Sequence, residues 1–231
     1  MSRYTYVLFD ADATLLDFKR SEYEAAMEVL TFFGMPATDE VIEKYSQIND
    51  MYWKMLEKGE VTRKNLTVFR WRDLCQYYKY NCDADAISEK YSEFLSEKSY
   101  LLDGAEEICK RLYGKCKLYL VTNGNKKVQK GRFNHSPIYK YFESCFISED
   151  TGYEKPQKEF FDSVFSQIPE FDKSQAIIVG DSLSSDIAGG INAGIDTCWY
   201  NPHNIEPPKN MKITFIKTNL LQVEDAVIWG K

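Results

Sequence analysis

Four short stretches of the 231-residue chain hold side chains that could do chemistry together: Asp10 and Asp12 in YVLFDADATLL (6–16), Thr122 and Asn123 in VTNGN (121–125), Lys155 in TGYEKP (151–156), and Asp181 with Asp186 in VGDSLSSD (179–186). Taken singly, each has an ordinary explanation. An Asp after a strand is usually a turn residue or a helix N-cap, a lone Lys is usually solvated, and a Thr can simply finish a strand. As a set they resist that explanation, because carboxylates crowded at one edge repel unless a cation or a proton compensates them. Hard carboxylate oxygens suit Mg²⁺, which is held by one or two carboxylates plus a substrate phosphate. The chemistry that uses such a set is phosphoryl transfer, where catalysis is mostly positioning and charge stabilisation. A carboxylate nucleophile can split that reaction into two easier steps.

These side chains need strands to deliver them. Apolar, β-rich runs occur at YTYVLFD (4–10), KLYLVTN (117–123), CFIS (145–148), AIIVGD (176–181) and DTCWYN (196–201), with ITFIK (213–217) as a late edge strand. Several are nearly continuous apolar stretches, as expected of strands buried on both faces. Between them lie helical patterns at 104–114, 127–142, 156–168 and 184–194. This alternation predicts an α/β fold with a doubly wound parallel sheet. In such sheets ligands sit beyond the carboxyl ends of the strands, where strand order reverses, and all four stretches end there.

From Asp17 to Tyr100 no strand is predicted. A capping-box pattern, Ser21-x-x-Glu24, opens a helix with Tyr23, Ala26, Met27, Leu30 and Phe33 on one face. Further helical faces carry Val41, Tyr45, Ile48, Tyr52 and Met55, then Ile87, Tyr91, Phe94 and Leu95. The expected organisation is a catalytic core, 1–16 with 101–231, and a compact helical cap domain, 17–100, inserted after the first strand.

Composition narrows the partner. With 44% hydrophobic and 15% aromatic residues the chain can bury a sizeable core. A net charge of -6, with acids and bases mixed, gives no basic footprint for nucleic acid and no polybasic patch for a membrane. A small charged metabolite is the expected partner. No apolar stretch suits a membrane helix, and the first residues lead into a strand and not a signal peptide, so a cytoplasmic location is expected. The six cysteines (75, 82, 109, 116, 145 and 198) form no C-x-x-C pair and are expected to be reduced thiols. His135 and His203 match no metal spacing and are expected at the surface.

The order Asp10-x-Asp12-x-Thr14, a strand ending in Thr122, Lys155 before Pro156, and Gly180-Asp181-x4-Asp186 resembles the haloacid dehalogenase superfamily of hydrolases, with its motifs in order over most of the chain. The resemblance implies a Rossmann-like core and an Mg²⁺-dependent phosphatase mechanism. Asp10 would attack phosphorus, and Asp12 would protonate the leaving oxygen and later activate water. Mg²⁺ would be held by the carboxylates of Asp10 and Asp181 and the main-chain carbonyl of Asp12, with Asp186 acting through water. Thr122 and the backbone amide of Asn123 would bind phosphate oxygens, and Lys155 would neutralise charge. True dehalogenases lack the second Asp, so Asp12 favours phosphoryl chemistry.

A closer resemblance reaches into the insertion. DIAGGINAGIDTCWYN (186–201), with Asn49-x3-Trp53-x5-Gly59-x-Val61-Thr62-x7-Arg70, looks like the bacterial house-cleaning 5'-nucleotidases that act on pyrimidine nucleoside monophosphates. It implies a nucleoside monophosphate as substrate and places Trp53 and Arg70 against the nucleoside. Ala13 stands where those relatives frequently have a polar residue. The alternatives are a phosphosugar phosphatase or phosphomutase of the same superfamily, or a catalytically silent binding module.

Overall fold

The computed structural model describes residues 2–231. Six parallel strands, β1 (Tyr6–Phe9), β2 (Lys117–Thr122), β3 (Ser144–Ile147), β4 (Ala176–Gly180), β5 (Asp196–Tyr200) and β6 (Phe215–Lys217), form one sheet in the order β3-β2-β1-β4-β5-β6. The chain builds outward from β1 through β2 to β3, then crosses back to β4 on the other side. The strand order therefore reverses at β1, which lies between β2 and β4.

Alternate residues face opposite sides of the sheet, and each side has its own core. Val7, Phe9, Leu118, Leu120, Ile177 and Val179 pack with Ile108 and Leu112 of helix α5 (Ala105–Leu112) and with Val223 and Val227 near the C-terminus. Tyr6, Leu8, Tyr119, Val121 and Ile178 pack on the other side against Phe160, Phe161 and Val164 of α8 (Lys158–Ser166). Strands buried on both faces explain why their sequences are almost uniformly apolar.

Between β1 and α5 the chain forms four helices: α1 (Phe18–Phe32), α2 (Asp39–Glu57), α3 (Arg63–Tyr78) and α4 (Ala84–Ser96). They enclose a separate apolar cluster centred on Tyr45, Trp71 and Tyr91, with the Tyr45 and Trp71 rings stacked at 4.0 Å. The two chain crossings between this insertion and the sheet run side by side. Asp17 N–H donates to Tyr100 O (2.8 Å) and Leu102 N–H to Leu15 O (2.9 Å). Helix α6 (Lys126–His135), which follows β2, packs against the insertion, and its Val128 joins the insertion's cluster. Two short helices, α7 (Ser148–Thr151) and α9 (Ala188–Ala193), follow β3 and a π-helical turn over Leu183–Ile187, respectively.

Three expectations are corrected. Helix α1 starts a turn before the capping box: Asp17 is the N-cap, accepting from Arg20 N–H, and the Ser21 hydroxyl is buried inside the helix. Its buried face is Ala25, Ala26, Val29 and Leu30 with Glu22, while Tyr23 and Phe33 are exposed, because Glu22 finds partners on α2. The predicted 127–142 helix ends at His135, since Ser136 precedes Pro137 and is forced into extended backbone. Cys75 and Cys82 are not free thiols but form a disulfide: Lys79 ends α3 in the left-handed region and folds the chain back, leaving the two Cα atoms 6.5 Å apart. Cys109, Cys116, Cys145 and Cys198 are free.

Candidate active site

Asp10 immediately follows β1, the central strand at the reversal point, and is tied to its neighbour by its N–H to Val179 O (2.9 Å). Lys155, fully buried, donates from Nζ to Asp10 Oδ1 (2.5 Å), to Asp186 Oδ1 (2.6 Å) and to Val121 O (3.0 Å). Asn123 positions that lysine. Its side-chain amide brackets the Lys155 backbone, accepting from the N–H (2.8 Å) and donating to the C=O (2.8 Å).

Asp181 sits at the end of β4, where the Thr14 hydroxyl donates to its Oδ1 (3.1 Å) and accepts its N–H (3.1 Å). Thr14 thus fastens the loop that follows β1 to the end of β4. Asp186 reaches back over Gly180, where an added Cβ would lie 2.3 Å from the Asp186 carboxyl carbon, so only glycine fits. Ser182 N–H donates to Asp186 Oδ2 (3.1 Å), completing the hold on that carboxylate.

Asp10, Asp181 and Asp186 each offer an oxygen within 4.8 Å of the others. Burial, with the Asp186 charge next, pushes the Asp10 carboxyl well above the usual carboxylate range against the opposing pull of Lys155. The same two causes push Asp181 up to about 7. Burial alone would lower the Lys155 ammonium, but Asp10 and Asp186 together hold it above its usual range. Three carboxylates facing one ammonium leave the cluster short of positive charge. The donor set, all hard oxygens, fits one divalent cation of the Mg²⁺ class.

Asp12 lies two residues beyond Asp10, in a loop turned by Ala13, whose φ of 61 is left-handed. Gln129 Nε2 donates to Asp12 Oδ2 (2.7 Å) and to Thr122 Oγ1 (3.2 Å), and Arg132 pairs with Asp12 Oδ1. Thr122 is buried at the tip of β2. Every core residue singled out in the sequence therefore converges on one crevice.

The insertion roofs this crevice, enclosing a cavity of about 260 Å³ whose floor is Asp10, Asp12, Thr122, Lys155, Asp181 and Asp186 and whose roof includes Phe18, Trp53, Arg63 and Arg70. Trp53 and Arg70 both line it, but in different states. Arg70 is buried, its Nη1 donating to Asn49 Oδ1 (2.6 Å), while Asn49 donates to Glu22 (2.7 Å) and the guanidinium lies over the Tyr91 ring. Its hydrogen bonds belong to the insertion's interior.

Sequence reasoning did not single out Arg63, Gln129 or Arg132. Arg63 crosses from the insertion to the sheet side, donating from Nη2 to Ser148 Oγ (2.7 Å) and Glu154 Oε1 (2.8 Å), and lies 5.6 Å from the Trp53 ring. Its Nη1 is buried with no partner among the described residues. Gln129 and Arg132 share one face of α6 at i, i+3 spacing with the Thr122 motif just before it, which is the only signal the sequence offers for them.

Comparison with known proteins agrees with this geometry. Residues 7–200 match the model of a family described as haloacid dehalogenase-like hydrolase. The HAD-hydrolase YfnB of Bacillus subtilis is 40% identical over 202 residues, 87% of this chain and 86% of that protein. A YfnB crystal structure with magnesium bound, described as revealing interdomain movement, superposes with a TM-score of 0.91 at 37% identity over 96% of this chain and 97% of its own. The pyrimidine 5'-nucleotidases PynA of Streptococcus pneumoniae and YjjG of Escherichia coli are 35% and 29% identical, covering 88% and 97% of this chain and 86% and 98% of their own lengths.

Proposed function

The chain belongs to the haloacid dehalogenase-like hydrolases, and within that family of enzymes we propose that this phosphatase is an Mg²⁺-dependent nucleoside 5'-monophosphatase that works through an aspartyl-phosphate and takes pyrimidine nucleotides. The observation that carries this reading is the two-ended cavity: a floor built for a phosphate and a cation, and a roof of Phe18, Trp53 and Arg63. Apolar rings at the roof suit a flat base, and the buried, unpartnered Nη1 of Arg63 is a donor that suits the carbonyl oxygens of a pyrimidine. The relatives named as pyrimidine 5'-nucleotidases support the same assignment.

In this reading 17–100 is a cap domain and 1–16 with 101–231 the catalytic core. Lys155 holds Asp10 by one oxygen, leaving the other to attack phosphorus. Asp12 protonates the leaving oxygen and then takes a proton from the water that opens the aspartyl-phosphate. Thr122 Oγ1 and the Asn123 amide bind phosphate oxygens. The carboxylates of Asp10 and Asp181 and the Asp12 carbonyl would hold Mg²⁺, with Asp186 behind them; when bound, the ion offsets charge on the phosphate and the carboxylates.

A panel of nucleoside 5'-monophosphates and sugar phosphates, ranked by kcat/KM with Mg²⁺ in excess, tests this. Pyrimidine nucleotides should rank first. A sugar phosphate ranking first, or a need for a phosphorylated activator, would replace the reading with a phosphosugar phosphatase or a mutase.

A further inference from the structure

Both oxygens of the Asp12 carboxylate are engaged by α6: Arg132 Nη1 pairs with Oδ1, and Gln129 Nε2 donates to Oδ2 (2.7 Å) while also donating to Thr122 Oγ1 (3.2 Å). Arg132 is fully buried and makes a second bond that leaves the site, from Nε to the main-chain oxygen of Lys98 (2.9 Å). Lys98 lies in the chain crossing that returns from the insertion. On the other side the guanidinium lies 5.6 Å from the ring of Phe18, the first residue of α1 in the outgoing crossing. Its remaining nitrogen, Nη2, has no partner among the described residues, so the guanidinium is not saturated by a structural network.

The backbone makes room for this arrangement. A Cβ at Gly124 would lie 2.5 Å from Gln129 Cγ, and one at Gly131 would lie 2.7 Å from Ser96 O. Glycine at the first lets the Gln129 side chain lie across the phosphate loop, and glycine at the second lets α6 press against the end of α4.

From these contacts we infer that Gln129 and Arg132 are positioning residues that aim the Asp12 carboxyl at the leaving oxygen, and that Arg132 ties this aim to the crossing through Lys98. The inference rests on the phosphatase reading above. In that reaction Asp10 attacks phosphorus, and the bond to the leaving oxygen breaks with its electron pair. The Asp12 carboxyl gives that oxygen its proton, and the attacking water later returns one to Asp12. A carboxyl that swings freely would often miss the leaving oxygen, and a misplacement of about 1 Å can cost roughly a hundredfold in rate.

Leaving-group dependence separates positioning from mere support. A nitrophenolate leaves without being protonated, whereas a sugar alkoxide needs the acid. The experiment measures kcat/KM for wild type, Arg132→Met, Gln129→Met and Asp12→Asn on a series of phosphomonoesters running from nitrophenyl phosphate through less acidic phenols to a nucleoside 5'-monophosphate. Both α6 variants should steepen the dependence as Asp12→Asn does, losing about 30- to 100-fold more on the nucleotide than on nitrophenyl phosphate, over any common loss from the freed Thr122 hydroxyl. Arg132→Lys, which keeps the charge but not the fork, should fall between Arg132→Met and wild type. Gln129→Met keeps the buried volume, so it decides the matter if Arg132→Met does not fold. Equal losses across the series in both variants would make the pair structural, and faster nucleotide turnover would mean that they park Asp12; either overturns the inference. An unchanged slope in Asp12→Asn would remove the acid role itself, which is a failure of the phosphatase mechanism and is visible apart from the α6 variants.

Discussion

Lys155 Nζ lies 2.5 Å from Asp10 Oδ1 inside a crevice where both side chains are almost wholly buried. The same ammonium reaches Asp186 at 2.6 Å, so it is the sole cation at the centre of a cluster of carboxylates among the described residues.

Removing that cation tests how the cluster is held together. Breaking a buried pair by deleting one partner costs about 3–5 kcal/mol, because the charge left behind is uncompensated. Lys155→Met should lose stability on that scale in EDTA, regain part of it in Mg²⁺, and still turn over at least about a thousandfold more slowly, a barrier increase of roughly 4 kcal/mol. Chemical denaturation with and without Mg²⁺ checks the first two, and undiminished stability in EDTA would mean that the carboxylates are protonated in the folded protein.

The pH dependence of the metal-free protein has a definite sign. Burial and the Asp186 charge push the Asp181 carboxyl up to about 7 from its ordinary 3.8, so between those values the folded chain binds more protons than the unfolded one. Stability therefore falls as pH rises through that window. Thermal melts in EDTA should show Tm declining from about pH 4 to 7, and Asp181→Asn should flatten the decline. Because the cation needs the ionised form, the Mg²⁺-induced rise in Tm should grow over the same range, as the stabilisation approaches about 2.7 kcal/mol at a hundredfold excess over Kd. A rise in Tm that is equal at both ends of the window would contradict the assignment of Asp181 as a ligand.

Arg63 and Arg70 should behave differently although both line the cavity. Arg63→Ala removes a donor at the roof and should lower kcat/KM for a pyrimidine nucleotide by about 10- to 100-fold, or 1.4 to 2.7 kcal/mol, while largely sparing nitrophenyl phosphate. Arg70→Ala strips Asn49 and the buried Glu22 of their cation and should destabilise the fold, reducing both activities together. Comparing the two substrates in each variant, alongside Tm, decides; a nucleotide-selective loss in Arg70→Ala would return that residue to the substrate.

The Cys75–Cys82 bridge closes a short loop at the end of α3, with a sequence separation of 7. Loop-closure entropy for a ring of that size is worth about 2.5 kcal/mol. Peptide mapping without reductant should recover the two cysteines linked, and reduction should lower the insertion's resistance to urea by that order. Six titratable thiols in the denatured, unreduced protein would contradict the bridge.

The core of the site was legible because its chemistry is local in sequence. Asp10, Thr122 and Asp181 each end or directly follow a strand, Lys155 lies in the loop after β3 and α7, and a parallel sheet must bring strand ends to one edge. Gln129, Arg132 and Arg63 were not legible, since each gains its meaning from a contact across the chain: Asp12 for the first two, Glu154 and Ser148 for the third. Nor does helical periodicity reveal which face wins when a polar residue is buried. Glu22 sits in the interior of the insertion because Ser46 and Asn49 receive it, and that rotates α1 away from the face that Tyr23 and Phe33 suggested.

Asp10 as the nucleophile is the step on which the whole mechanism depends. The deciding measurement is phosphate release from a pyrimidine nucleoside 5'-monophosphate by wild type and Asp10→Asn, in excess Mg²⁺, with Tm recorded for both. Wild type should turn over and Asp10→Asn should keep its fold yet lose nearly all activity, because an amide cannot form the aspartyl-phosphate. Retention of more than about a tenth of the wild-type kcat, a barrier change under roughly 1.4 kcal/mol, would contradict it.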